Sequence, residues 1–350
     1  MCRHVCPVGC VTQLETFTPH GWGLIIASVQ RGLLEWNQET VEDLYTCADC
    51  GTCQAHCVTD QPLPTAISMA RAEVFAQNLA PSKVAELDHA LQTWGNPYQP
   101  KTPNPVNGKG DFALFVGDTA QYLGPEALQS ALKLLEAVDV KPVLIGIGRN
   151  SGYLASSLGL LDTAKSLAKN TIDELEACGA VRLFVLSPGD YYTFDKLYPE
   201  RLGTAIPKGV ELIEVTTYLA EQMEIGAIHF TRSEEPYRFA YVDPTHAVRV
   251  PHRHHHPRKL LAAVMTGECI ELFWRQERTH PVGNTALQFT RPAIADKLTH
   301  ARLEDARQSG ARVLFTDDPG TLHTLREKVE EYGLRIYGLY EWLAGHLIHA

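Results

Sequence analysis

The chain has 350 residues, 45% of them apolar and 21% charged, an ordinary globular composition with room for two or three domains. Its formal net charge of −10 argues against nucleic acid as a partner, because neutralising phosphates takes clustered Lys and Arg. The apolar stretch WGLIIASV near the N-terminus is too short to span a bilayer, and no charged leader precedes it. A cytoplasmic protein that does not span the membrane is therefore expected.

The opening MCRHVCPVGC carries Cys2, Cys6 and Cys10. Behind it, Trp22, Ile25, Ile26, Val29, Leu33 and Trp36 recur at three- and four-residue steps, which predicts one buried helical face. The segment TCADCGTCQAHC then places Cys47, Cys50, Cys53 and Cys57 within eleven positions, and a second helical run, LPTAISMARAEVFAQNL, follows. Seven of the nine cysteines thus precede residue 58, spaced as metal ligands and not as a disulfide framework. The stretch NPYQPKTPNPVNGKGD, with four prolines and two glycines, predicts an exposed linker.

After the linker, β-type runs alternate with helical patterns: DFALFVGD, PEALQSALKLLEAV, KPVLIGIG, LLDTAKSLAKNTIDELEACG and VRLFVLSPG. This alternation predicts a parallel sheet covered by helices. It restarts at YRFAYVDPTH and runs through CIELFWRQ and RPAIADKLTHARLEDARQSG to ARVLFTDDPG. Gly179, Ala180, Leu183, Phe184, Pro188, Gly189 and Thr193 recur as Gly310, Ala311, Leu314, Phe315, Pro319, Gly320 and Thr324, an internal duplication with a domain-sized period.

The spacing C-x2-C-x2-C-x3-C of Cys47, Cys50, Cys53 and Cys57 is one that wraps iron–sulfur clusters: three thiolates hold one cubane and the fourth reaches a neighbour. Structural zinc, which uses two separated knuckles, and unligated thiols are the competing readings. Cys2, three residues, Cys6 and Pro7 match the tail of a second such motif, whose first two cysteines would fall before Met1. By the cross-ligation rule Cys6 joins Cys47, Cys50 and Cys53 around one [4Fe-4S] cluster. Cys57 and Cys2 are left for an incomplete second one, and Cys10 is read as a half-buried free thiol.

A helical domain with two such motifs, joined to two duplicated α/β domains, resembles the iron–sulfur oxidoreductases related to heterodisulfide reductase. The resemblance implies an α+β multidomain protein: an all-α helical ferredoxin domain over 1–95, the linker over 96–110, and parallel-sheet cysteine-rich domains over 111–232 and 233–350. In that family each α/β domain carries a lone cysteine, an adjacent pair often followed by Gly, and a C-x-x-C. Here the frame falls on Asp118, Asn150 and Ser151 before Gly152, then Ser187 and Asp190. In the second half it falls on Thr245, Pro281 and Val282 before Gly283, then Asp318 and Thr321. None of these ten frame positions is cysteine. Oxygen donors suit neither iron–sulfur clusters nor zinc well, so the family's disulfide-reducing chemistry is not expected here.

What the resemblance implies is an electron-transfer subunit, without an independent active site, that serves a partner dehydrogenase or flavoprotein, in a complex that could sit peripherally on a membrane. A non-catalytic assembly or ligand-binding module with a structural cluster is the alternative. Asp118, Asn150, Ser187 and Asp190 would converge at the ends of parallel strands if the fold is kept, although turn and capping roles also explain them. The second frame, on Thr245 and Asp318, is the weaker candidate. His252, His254, His255 and His256 in VPHRHHHPRK are read as a solvated basic loop, and Cys178 and Cys269 as buried structural thiols. GIGRNSG lacks the order of a phosphate-binding loop, and neither a G-x-S-x-G elbow nor an H-E-x-x-H helix is present.

Overall fold

A computed structural model describes residues 2–98, 108–234 and 236–348. Its described N-terminal part, up to residue 98, contains helices and turns but no strand; the longer helices are Pro19–Gln30, Gln38–Leu44, Leu63–Ala76 and Ser82–Trp94. Cys6, Thr18 and Asn37 each stand at a helix N-cap and accept a backbone N–H from the first turn, and Pro7 and Pro19 occupy first positions where no N–H is needed. The periodicity that runs on to Trp36 overshoots. The helix stops at Gln30, Gly32 takes φ 67°, and Leu33 donates back to Ser28, which leaves Leu33 72% exposed.

The rest of the chain builds two four-stranded parallel sheets. β1 (Phe112–Val116), β2 (Val143–Ile147), β3 (Arg182–Val185) and β4 (Glu211–Glu214) are ordered β2-β1-β3-β4. β5 (Phe239–Tyr241), β6 (Cys269–Ile270), β7 (Val313–Thr316) and β8 (Arg335–Gly338) are ordered β6-β5-β7-β8. The chain is thus α+β with two sheets of identical order. β4 and β8 lie outside the predicted β-type runs, and CIELFWRQ yields only the two residues of β6.

The duplicated residues occupy equivalent places. Helices Leu161–Cys178 and Pro292–Ser309 each end on a left-handed glycine, Gly179 and Gly310, and feed the third strand of their sheets. Gly152 and Gly283, which follow the degenerate pairs, have φ 98° and 104°. A side chain at Gly152 would meet the Ala164 carbonyl oxygen at 3.0 Å, and one at Gly283 the Ala295 oxygen at 2.5 Å. The glycines of the frame therefore serve backbone geometry and close helix packing, whatever the neighbouring residues do.

Alternation along the strands divides the core. Ala113 and Phe115 face one way, with Leu183 and Val185, into a cluster shared with the N-terminal helices through Trp22, Val41, Leu44 and Ile67. Leu114, Val116 and Phe184 face the other way and share a core with Phe239, Tyr241, Val313 and Phe315 of the second sheet. Arg253 crosses this junction. Only 1% exposed, it donates to Glu214 at 2.8 Å and to Asp317, while Thr216 and Tyr241 also donate to Asp317.

The histidine-rich segment is therefore not a wholly solvated loop. Arg253 and His254 are buried, His254 within 4.0 Å of Asp243, and His252 and His255 are exposed. Cys178 is buried but Cys269 is exposed on β6, and Cys10 is exposed, not half-buried. Of the proline-rich stretch, residues 99–107 lie outside the described residues. At its start Asn96 is buried and the Tyr98 ring packs tilted against Phe289, centroids 6.1 Å apart, so the exposed linker does not begin there.

Candidate metal centre and an adjoining cleft

Cys6 reaches the thiol site as an N-cap, and Cys47, Cys50 and Cys53 reach it on a loop made by two left-handed residues, Asp49 (φ 49°) and Gly51 (φ 85°). The four line one hollow, about 300 Å³ counted out to open solvent, walled by Val8, Pro19, Trp22 and Pro64. Cys2 is near enough to Cys53 for their charges to interact. Cys57 lies apart, partly exposed, with its thiol 3.3 Å from the Thr59 hydroxyl.

Burial pushes the Cys47 thiol up to about 12 despite the nearby charge of Arg71, and burial also raises Cys6, Cys50 and Cys53. Cys6, Cys47, Cys50 and Cys53 further disfavour one another's ionisation. Four thiolates in an apolar hollow need a compensating cation, and this donor set fits an iron–sulfur cluster. Among the described residues no three His, Cys, Asp or Glu side chains close on a single ion. Thiolates that bind separate corners of a cubane need not share one centre, whereas a lone zinc ion would require them to.

Backbone N–H groups already point at the sulfurs: Gly9 donates to Cys6 at 3.5 Å and Asp49 to Cys47 at 3.3 Å. Arg71, 1% exposed, donates to the carbonyls of Leu44, Cys47 and Ser157. Arg249, from the second half, donates to the carbonyls of Asp49 and Cys50 and to the Asp49 carboxylate. His280 donates from Nε2 to the Val5 carbonyl at 3.0 Å, and Thr52 donates to the Thr279 carbonyl at 3.2 Å. None of Arg71, Arg249 and His280 belongs to a spacing motif. Only the fold brings them to the loop.

A cleft of about 940 Å³, counted out to open solvent, lies where the strand ends of the two halves face each other. It gathers Asp118, Asn150, Ser151, Ser187 and Asp190 from the first frame and Thr245 and Asp318 from the second. Pro281 and Val282 do not line it, and Asn284, which no spacing singles out, does. Capping accounts for part of this set. Ser187 accepts from Gly189, Asp318 from Thr321, and Asn150 from Gly152. Asp118 accepts from Thr119 at 2.9 Å and from Asn150 at 3.0 Å. Burial pushes the Asp190 carboxyl up to about 7, with the charges of Asp118 and Asp318 adding to it. The turn GIGRNSG holds Arg149 in a buried ion pair with Glu174, which leaves no free cation for a phosphate.

The cleft and the thiol loop share a wall. Tyr153 lines the cleft, packs with its ring tilted against His246 at 4.5 Å between centroids, and donates from its hydroxyl to Asp49, 2.9 Å from Oδ2.

A helical, thiol-bearing end joined to two parallel-sheet halves of one order is the architecture expected of the heterodisulfide-reductase-related iron–sulfur proteins, and by sequence the chain is related to that group. It is 21% identical over 299 residues to one of the subunits of the dihydromethanophenazine:CoB–CoM heterodisulfide reductase of Methanosarcina barkeri, a match that spans 81% of this chain and 72% of the relative. It is 22% identical over 346 residues to the probable iron–sulfur-binding oxidoreductase FadF of Bacillus subtilis, spanning 89% of this chain and 47% of the relative. A crystal structure of a hypothetical protein from Helicobacter pylori shares the fold, with a TM-score of 0.60 at 11% identity, covering 91% of this chain and 66% of that one. No family model matches the chain. Among the described residues no helix is long and apolar enough to cross a membrane.

Proposed function

We propose that the chain is an iron–sulfur electron-transfer subunit of an oxidoreductase complex, with Cys6, Cys47, Cys50 and Cys53 holding one [4Fe-4S] cluster. The observation that carries this reading is the gathering of four thiols from two distant segments in one apolar hollow, with backbone N–H groups, the buried Arg71 and the largely buried Arg249 around it. Such a cluster supplies one-electron transfer at a potential set by burial and hydrogen bonding. The residues supply the setting: the N–H groups of Gly9 and Asp49 stabilise thiolate charge, and Trp22 and Val8 exclude water. We assign the electron donor to a partner dehydrogenase, a flavoprotein by the resemblance, and Cys2 and Cys57 to a second, incomplete site.

The test is anaerobic reconstitution with iron and sulfide, then iron counting and EPR before and after dithionite, on the wild type and Cys50→Ser. About four irons per chain and a reduced S = 1/2 signal that the variant loses are expected. Binding of zinc without iron would make the site a structural staple. One observation favours a second reading, a ligand-binding module with a structural cluster: the degenerate frames line a polar cleft in place of a metal site. A cluster that binds but is inert to dithionite would select it.

A further inference from the structure

Among the described residues, the lining of the cleft between the two halves includes three aspartates, Asp118, Asp190 and Asp318, and no lysine or arginine. Its one histidine, His246, is kept neutral by burial and by the Arg249 charge, with its pKa lowered to about 3. The described lining thus offers a cation three carboxyl groups and offers an anion no cationic side chain.

Helix capping and local turns leave part of this set unexplained. Asp118 and Asp318 accept backbone N–H groups, but Asp190 has Ser151 as its polar neighbour. Ser151 is 1% exposed and its Oγ has no hydrogen bond of normal geometry; Nδ1 of His246, a residue of the second half that also lines the cleft, has none either. Buried polar atoms without a well-formed hydrogen bond are uncommon, and two of them on residues that line one cleft point to a partner that comes from outside the chain. Two classes of cation could fill that role. A single metal ion would need at least three ligand groups converging on it, and no such group occurs among the described residues. Carboxyl groups contributed by both halves, Asp118 and Asp190 from one and Asp318 from the other, suit an organic cation that can reach more than one of them. Tyr98 and Phe289, with ring centroids 6.1 Å apart, add aromatic surface to the same cleft, which favours an alkylammonium over a hydrated ion.

We propose that the cleft binds a small organic ammonium compound, with Asp190 and Asp318 from opposite halves as its charge partners and Ser151 as a hydrogen-bonding group. This proposal does not depend on the redox reading of the thiol site. It gives the emptied cysteine-rich frames a use: oxygen donors where the resemblance places thiolates exchange affinity for iron for affinity for an amine.

The experiment is isothermal titration of the full chain with 1,4-diaminobutane and butylamine, with 1,4-butanediol, succinate and manganese(II) as comparisons. Salt of about 0.3 M screens binding to scattered surface carboxylates. Saturable binding of an amine, one per chain, is expected. Asp190→Asn and Asp318→Asn should each weaken it by about tenfold or more, as loss of a charge-assisted hydrogen bond does. Glu176→Gln, which removes an exposed carboxylate elsewhere, should leave it unchanged. Circular dichroism and thermal melts establish that the variants are folded, and the comparison of amine with diol on the wild type needs no variant. Absence of saturable amine binding, equal binding of the diol or succinate, manganese bound in place of the amine, or amine affinity untouched in both folded variants would overturn the proposal.

Discussion

Arg249, from the second α/β half, forms an ion pair with Asp49 in the middle of the cysteine loop, Nη2 to Oδ1 at 2.8 Å, and the same guanidinium donates to the Asp49 and Cys50 carbonyls. It also lies over the Tyr192 ring at 4.4 Å. Both charges are largely buried, so removing one strands the other. Arg249→Ala is expected to cost about 3–5 kcal/mol in denaturant unfolding and to speed iron loss to a chelator, with Arg249→Lys intermediate because one ammonium cannot replace the planar fork. Equal stability of Arg249→Ala and wild type would mean that the pair does not anchor the loop.

Gly51 tests the same contact from the other side. Its φ is 85°, and a β-carbon there would fall 2.4 Å from Arg249 Nε. Gly32 also has a positive φ, 67°, but nothing lies within 4 Å. Gly32→Ala should cost about 1 kcal/mol, the usual strain of a left-handed alanine. Gly51→Ala should cost more and release iron, because it also displaces the guanidinium. Thermal melts and iron retention of the two variants, side by side, decide this.

Burial holds the Asp190 carboxyl at about 7, against an ordinary value of 3.8. Between these values the folded chain binds more protons than the unfolded one, so this group makes stability fall as pH rises from about 4 to 7 and level off above. Asp118, Asp318 and neutral His246 face it. His246, lowered to about 3, opposes the trend by making stability fall as pH drops below 6.5. That contribution is common to wild type and Asp190→Asn and cancels in their difference. The variant should therefore gain on the wild type through the pH 4–7 window, by an amount on the order of a few kcal/mol at pH 8. A constant difference across the window would contradict an elevated Asp190.

The thiols should separate by reactivity. Hydrogen bonds from the Thr59 hydroxyl and the backbone at Gln61 and Thr59 lower Cys57, whereas burial raises Cys47, Cys50 and Cys53. In the metal-free protein at pH 7.5, iodoacetamide followed by peptide mass spectrometry should label Cys57 well before those three. Simultaneous labelling would show that the apo loop opens.

Much of this architecture is legible in the residues. Alternating runs such as DFALFVGD and VRLFVLSPG mark β1 and β3 because strands buried on both faces must be continuously apolar. The repeat from Gly179 to Thr193 predicts equivalent positions, and the two sheets share one strand order. β4 and β8 escape because ELIE and RIYG are short edge strands with charged first residues. The thiol spacing points to its own hollow, but Arg71, Arg249 and His280 carry no local signal: a buried arginine and a surface one look alike in sequence. The same holds for Arg253, which a run of histidines makes look solvated and which in fact joins Glu214 to Asp317.

The central claim, that thiols from two segments hold one cluster, turns on Cys6, the member supplied from outside the loop. Iron counting and EPR on anaerobically reconstituted Cys6→Ser, beside the wild type, test it most directly. The expected result is about four irons in the wild type and a smaller or labile iron content with an altered spectrum in the variant. A full complement of iron with an unchanged EPR signal in Cys6→Ser would contradict it.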